Sequence, residues 1–393
     1  MELHILDHKV HVISVEKYAI SVVTRALVKL ALLYKQTNCK FFSFTETCDD
    51  YSIIVDEEGF KEIPKHEDVK VQLDSWRVLN VAVGAYATNK VSGLTKIAKS
   101  VILPLADYHV SVFCMSTYQT DFILVKEDDM KAAIECLSFK YNIFQEKDGE
   151  MIPVPVNHPV DEDKLQDPGT PRPIVHPFTV PLNRFSIRSL DPETLPNVAT
   201  VLLELMFYSD SLSTSPQDGH DRFFSYSVVD GDISLVLDSE ALVKFPPHSL
   251  FGSTAGECWK MVRIGATPLG FVESGIVAQF AQPVSEGGYF TYYISTFTKG
   301  YTLVPEEDAE DVMRILKSRQ QLQAIKEENE ENHITFPEQE LNHSDITTQS
   351  HEIKEIHDTV THDSAEENAL TQCTEGGKKL LPRKQKDGKI VYY

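Results

Sequence analysis

A chain of 393 residues has room for roughly two to four small domains, and 42% of it is hydrophobic, enough for a sizeable core. Its net charge of −22 argues against a nucleic-acid binder, because a phosphate backbone recruits lysine and arginine. The six cysteines form no C-x-x-C pair and no zinc spacing; four of the first five lie beside or within apolar runs and read as small core residues in a reducing compartment.

In chain order, residues 1–7 (Met1-Glu2-Leu3-His4-Ile5-Leu6-Asp7) alternate polar and apolar and read as a strand, not a secretion signal. Residues 9–15 alternate as a strand, and Ile20, Val23, Leu27, Leu30 and Leu33 give helical spacing over 16–35. Two short strands, 41–45 and 52–56, flank an Asp-Asp turn, and a short helix follows over 57–63. The plan then recurs: strand 76–81, helix 92–106, strands 110–115 and 122–125, helix 127–137 and strand 141–145. That order, βαββαβ, is ferredoxin-like. Residues 153–181 are proline-rich and read as an extended linker.

The second part predicts a strand over 184–190 and a helix to residue 208 that starts at Asp191-Pro192-Glu193, with Asp191 as N-cap. Strands follow at 223–228, 233–238 and 259–264, then a short helix over 275–282, strands at 290–296 and 301–304, and a helix from 306. Beyond about 325 the chain becomes polar and acidic, which predicts disorder. A basic cluster near its end (Lys378, Lys379, Arg383, Lys384, Lys386, Lys389) reads as a solvated tail, with nuclear import as the other reading. No apolar run reaches the length that spans a bilayer, and the expected compartment is the cytosol.

The two halves repeat. Phe41-Phe42-Ser43-Phe44 returns as Phe223-Phe224-Ser225-Tyr226, and Asp50-Tyr51-Ser52-Ile53 as Asp232-Ile233-Ser234-Leu235, both at an offset of 182 (223 − 41; 232 − 50). Trp76-Arg77-Val78 is echoed by Trp259-Lys260-Met261 at 183 (259 − 76), and Met115-Ser116-Thr117-Tyr118 by Ile294-Ser295-Thr296-Phe297 at 179 (294 − 115). A near-constant offset implies a duplicated fold, and the seam between related modules is where a small ligand binds. The expected units are 1–70, 72–146, 183–250 and 256–325, with a linker at 147–182 and a disordered tail at 326–393.

Catalytic signatures are missing. There is no P-loop, G-x-G-x-x-G, H-E-x-x-H or G-x-S-x-G pattern. His109 lies beside a strand and reads as an edge residue, and the acidic runs at 127–129 and 306–308 read as helix N-terminal charges. The reading is a non-enzyme with no metal and no cofactor.

Several long strings carry a resemblance: Val55-Asp56-Glu57-Glu58-Gly59-Phe60-Lys61-Glu62, Ser116-Thr117-Tyr118-Gln119-Thr120-Asp121-Phe122, Leu190-Asp191-Pro192-Glu193-Thr194, Met261-Val262-Arg263-Ile264-Gly265 and Gly275-Ile276-Val277-Ala278-Gln279. They resemble the CASTOR family of tandem ACT-domain proteins, over about residues 1 to 325. The resemblance implies an α+β fold of four ferredoxin-like βαββαβ ACT units in two duplicated halves. It also implies a cytosolic arginine sensor upstream of the TOR kinase, with the amino acid between the second and fourth units. The ligand-free sensor would bind and inhibit the activating GATOR complex; arginine would release that partner and raise TOR signalling.

Carried onto this chain, the implied pocket comprises Ser111 and Val112; Gly270, Ile276 and Val277; and Thr296, Phe297, Thr298, Lys299 and Gly300. The residues themselves favour part of this. Glu273-Ser274-Gly275-Ile276 enters a helix whose free N–H groups suit a carboxylate, and glycine there permits close approach. The chain departs from the family where the arginine-binding members carry an aromatic and an aspartate: it has Lys299 and Gly300. A missing charge-assisted hydrogen bond to the guanidinium would cost about 1.5–3 kcal/mol, the Lys299 ammonium would repel a cationic ligand if it pointed inward, and Glu273 is the candidate substitute. The resemblance further implies a partner surface at Tyr118, Gln119 and Asp121, where a solvent-facing turn is the other reading, and a homodimer contact at Leu203 and Tyr208. That helix carries Leu202, Leu203, Leu205, Met206 and Phe207, more apolar residues than one core face requires, with core packing alone as the other reading. Two other readings stand beside the sensor: a ligand-independent interaction protein with a degenerate pocket, and a regulatory subunit of a biosynthetic enzyme.

Overall fold

The computed structural model describes residues 2–82, 97–147, 149–155, 176–208, 221–252, 257–265 and 276–333, together with 382–384 and 390–392. Its first strand, β1 (Glu2–Glu16), is one continuous element where the sequence suggests two. Alternation is the reason: Leu3, Ile5, Val10, Val12, Ile13 and Val15 all find cover, on one sheet face or another. A register shift between Ile5 and Lys9 lets the two ends serve different neighbours. The far end pairs with β3 (Asp50–Asp56) and β4 (Val69–Val71); the near end lies between β5 (Trp76–Ala82) and β8 (Asn142–Lys147).

The second half splits the same strand in two. β10 (Phe178–Thr179) and β11 (Phe185–Leu190) reproduce β1 at an offset of 175 (178 − 3; 185 − 10). Phe178 faces Ile264 as Leu3 faces Val81, and Phe185 faces Trp259 as Val10 faces Trp76.

The remaining strands are β2 (Phe41–Glu46), β6 (Val112–Ser116), β7 (Asp121–Lys126), β9 (Glu150–Pro153), β12 (Phe224–Val229), β13 (Asp232–Asp238), β14 (Leu250–Phe251), β15 (Trp259–Ile264), β16 (Tyr292–Ser295) and β17 (Gly300–Pro305). They close into a ring: β1-β3-β2-β12-β13-β11-β15-β17-β16-β6-β7-β5 and back to β1. Two seams join the halves. β2 runs antiparallel to β12 with Phe44 opposite Tyr226 (226 − 44 = 182), and β6 meets β16 at Met115 opposite Ile294. Each centre pairs a residue with its own repeat, so the halves are related by a pseudo-two-fold rotation, as two copies in a dimer would be.

Helices cover the outside. α1 (Ile20–Leu32) buries Val23, Ala26, Leu27 and Leu30 at i, i+3, i+4 and i+7, and packs beside α4 (Leu195–Phe207), while α3 (Met130–Leu137) packs on β7. α2 (Leu103–Asp107), entered through a π-type turn at Ala98–Ile102, packs against α5 (Ile276–Glu286). Inside the ring lie two apolar clusters, one around Trp76, Phe41 and Phe113 and one around Trp259, Phe223 and Tyr301. The buried hydroxyls of Ser43, Thr45, Ser52, Ser225, Ser227 and Ser234 belong to the β2, β3, β12 and β13 strands of the first seam.

The architecture is α+β, but it departs from four self-contained βαββαβ units. Residues 10–71 give the order β4-β1-β3-β2 and residues 185–251 give β14-β11-β13-β12, the ferredoxin-like order, with the second helix cut to one turn at Glu57–Phe60 and Ser239–Leu242. In the second unit the start of β1 is inserted between β5 and β8, and in the fourth the position beside β15 is filled by β10. So β9 and β10 form within the stretch read as linker. The helix expected at Asp191 begins at Leu195: Asp191 accepts the Glu193 N–H at 2.8 Å in a local turn, and the proline of the first helical turn is Pro196. α6 (Ala309–His333) runs past 325, where the sequence expects disorder to begin. The segment from 329 onward forms a separate compact unit; its described residues include a hairpin of β18 (Pro382–Lys384) and β19 (Ile390–Tyr392).

Candidate functional site

The seam between β6 and β16 is built from alternating strands whose inner residues, Met115 and Ile294, meet. Only this one pair is laddered. The flanking backbone groups are satisfied by side chains instead: Cys114 N–H donates to Ser295 Oγ at 3.0 Å and Tyr293 N–H donates to Ser116 Oγ at 3.0 Å. These are one bond made twice (293 − 114 and 295 − 116 both give 179). All four residues are buried, so loss of either hydroxyl would strand a donor away from water.

Past this point each strand ends in a tight turn. Thr296 N–H donates to Lys299 O at 2.8 Å, the Thr296 hydroxyl donates to the same carbonyl at 2.9 Å, and Lys299 N–H donates back to Thr296 Oγ1 at 3.1 Å. Thr117 and Thr120 make the same three bonds at 2.8, 2.8 and 3.1 Å. Each turn is then held by the opposite half. Phe297 N–H donates to Ser52 Oγ at 2.9 Å, and Tyr118 N–H donates to Ser234 Oγ at 2.8 Å. The Phe297 ring packs on the cluster around Trp76, and Tyr118 on the cluster around Trp259.

Lys299 is only 9% exposed, and its ammonium is paired with Asp49. Partial burial opposes ionisation of Asp49, yet the hydrogen bond and charge of Lys299 outweigh it and hold the carboxyl below its ordinary range. The lysine expected to repel a cationic ligand is therefore engaged with the first unit. Gly300 is held by its surroundings: a Cβ there would collide with the Tyr293 hydroxyl. Thr298 Oγ1 is buried and has no hydrogen-bond partner among the described residues.

The other expected pocket residues fall around this turn in part. Ser111 and Val112 are half-buried at the start of β6, whose register against β16 leads toward the 296–300 turn. Ile276 is half-buried and Val277 buried in the first turn of α5, which packs on β6. Gly270, Glu273 and Gly275 lie outside the described residues. At the expected partner surface, Gln119 is exposed, with Nε2 3.1 Å from Ser189 Oγ, Tyr118 is half-buried and Asp121 is buried. On α4, Leu203 is half-buried and Tyr208, just past the helix, is exposed. The apolar excess of that helix is spent partly within the chain: Val198, Leu202, Leu205 and Met206 join one core with α1. His109 is exposed, with a left-handed backbone at φ +58°, after α2.

Sequence reasoning missed Asp49, Ser52, Ser234, Ser116 and Ser295. The repeats contained the signal, since Ser52 and Ser234 sit at matching places in the duplicated strings. Among the described residues no His, Cys, Asp or Glu cluster could hold a metal ion, and no helix is long and apolar enough to cross a membrane.

Comparison with known proteins covers about four-fifths of the chain. The family description "Cytosolic arginine sensor for mTORC1 subunit 1 N-terminal domain" matches residues 9–69, and "Cytosolic arginine sensor for mTORC1 subunit 1/2, ACT-like" matches 176–254. "ACT domain" matches 73–138 and 254–318. The chain is 48% identical over 329 residues to the human protein named "Cytosolic arginine sensor for mTORC1 subunit 1", covering 82% of this chain and 99% of that one. It is 46% identical over 332 residues to the mouse protein of the same name, covering 83% and 100%. Among solved structures, an aspartate kinase from Synechocystis aligns over 80% of this chain and 54% of its own at 13% identity and a TM-score of 0.28, a likeness too distant to bear on the argument.

Proposed function

Because the chain belongs to the family of cytosolic arginine sensors for mTORC1, we propose that it senses a free amino acid, arginine first among candidates, and acts upstream of that kinase complex from the cytosol without catalysis. The ligand lies at the seam of the second and fourth units, beside Ser111, Val112, Ile276, Val277 and the turn Thr296–Gly300. The observation that carries this reading is Thr298: a buried hydroxyl with no partner among the described residues, on a turn already closed by other bonds, is a group a polar ligand can satisfy. The α-carboxylate is received near the start of α5 (Ile276–Glu286), because the first N–H groups of any helix have no acceptor within the helix itself. The ligand-free protein binds and inhibits the activating GATOR complex through exposed Gln119 and half-buried Tyr118, with the buried Asp121 supporting the turn and not touching the partner directly, and ligand binding releases it. Two chains associate through Leu203 and Tyr208.

A melting series with L-arginine and a panel of other amino acids tests the ligand. A ligand that binds only the folded protein at about a hundred times its Kd stabilises by about 2.7 kcal/mol. Co-precipitation with Tyr118→Ala tests the partner, and light scattering on Leu203→Glu tests the dimer; unchanged recovery, or unchanged mass, contradicts each. The replacement of an acid by Gly300 favours a second reading, a ligand-independent interaction protein of the same fold, which predicts a flat melting series with intact co-precipitation.

A further inference from the structure

We propose that Ser52 and Asp49, on the β2–β3 hairpin, are positioning residues for the ligand turn at 296–300, and that Ser234 positions the turn at 117–120; the proposal rests on the site reading above. A four-residue turn at the tip of a hairpin is closed by its own bonds but free to swing about the strands that carry it. Here the swing is stopped from outside. The Phe297 N–H donates out of its turn to Ser52 Oγ, whose residue is buried, so water does not compete. Two residues on, the Lys299 ammonium is tied to Asp49, three residues before Ser52 on the same hairpin. Thr298 sits between the two tethers. One hairpin therefore fixes the turn at two points and sets where the Thr298 hydroxyl lies.

The pseudo-two-fold supplies the matching case. Ser234 is the repeat of Ser52 (234 − 52 = 182), Tyr118 is the repeat of Phe297 (297 − 118 = 179), and the bond between them is of the same kind. Each half thus holds the other half's turn. A ligand bound between the second and fourth units then depends on the first unit, and a partner docked on the second unit depends on the third.

The full-length protein tests this with calorimetric titration of L-arginine, amide hydrogen exchange and co-precipitation. Ser52→Ala weakens arginine binding about tenfold, the scale of one buried hydrogen bond, and speeds exchange at the Phe297 amide; Ser52→Thr restores both. Asp49→Asn weakens binding by a similar factor, and Asp49→Glu recovers most of it. Ser234→Ala speeds exchange at the Tyr118 amide and lowers partner recovery, while arginine affinity stays within about twofold. Equal losses of arginine affinity in Ser52→Ala and Ser234→Ala would mark general loosening and overturn the proposal. Arginine affinity unchanged in a folded Ser52→Ala protein would overturn the proposal and leave the site reading standing. No heat from the unsubstituted protein with arginine or any other common amino acid would overturn both.

Discussion

The turns at 117–121 and 296–300 began as copies and now share only their first residue. Thr117 and Thr296 are kept because a threonine hydroxyl closes each turn in the same way. Beyond it, Tyr118 corresponds to Phe297, Gln119 to Thr298, Thr120 to Lys299, and Asp121 to Gly300 in the repeat. The last exchange is compensated across the sheet. Next to Gly300 stands Tyr293, whose hydroxyl fills the missing side chain; the repeat of Tyr293 is Cys114, and there the smaller thiol accompanies the larger Asp121. Burial and the nearby Asp121 both push the Cys114 thiol far above its ordinary value, which marks that side as a packed and unreactive one. The smallest residue thus stands beside a large one in one pair and two mid-sized residues stand together in the other, while the carboxylate has remained on one side only.

The largest effect comes from forcing the two turns to match. Gly300→Asp drives a charged side chain into the Tyr293 hydroxyl and should cost about 3 kcal/mol or more in urea unfolding. Tyr293→Cys in the same chain, which imitates the other turn, should recover much of that loss. If the double variant is as unstable as Gly300→Asp alone, the volume exchange is not what separates the turns.

Removing the two aromatic tips comes next. Phe297 is partly buried on its cluster, so Phe297→Ala should destabilise by about 1–2 kcal/mol. Tyr118→Ala should cost a similar amount and, unlike Phe297→Ala, lower recovery of the partner complex. Equal partner recovery from both variants would erase the distinction drawn between the turns.

The smallest effect is electrostatic. Asp49 is held below its unfolded value, so the pair with Lys299 contributes stability that is present above the carboxylate range and is lost as pH falls through the folded value. Because Asp49 is 48% exposed, screening limits the contribution to about 1 kcal/mol or less. The difference in melting temperature between the native chain and Asp49→Asn should be present at pH 7 and fade below about pH 4. The 117–120 turn, which has Thr120 where the other has Lys299, should show no such component.

Much of the fold was legible from strings alone. The duplicated Phe-Phe-Ser and Asp-x-Ser segments mark β2, β3, β12 and β13 because period-two alternation and turn residues are local signals. Ring closure was not, since nothing near Phe44 says that it will face Tyr226. β1 was divided in two because a strand that changes partners midway looks, in sequence, like two strands with a break at Asp7-His8. At the site, Lys299 was read as an obstacle because its partner, Asp49, lies in the other half. Ser52 and Ser234 were visible in the repeat, but a strand serine carries no role until its neighbour across the ring is known.

Calorimetric titration of L-arginine into the full-length protein, beside the Thr298→Val variant, tests the central claim most directly. Saturable heat from the native chain, weakened about tenfold in the variant, is the predicted result. A native chain that takes up neither arginine nor any other amino acid, while still capturing its partner complex, would contradict it.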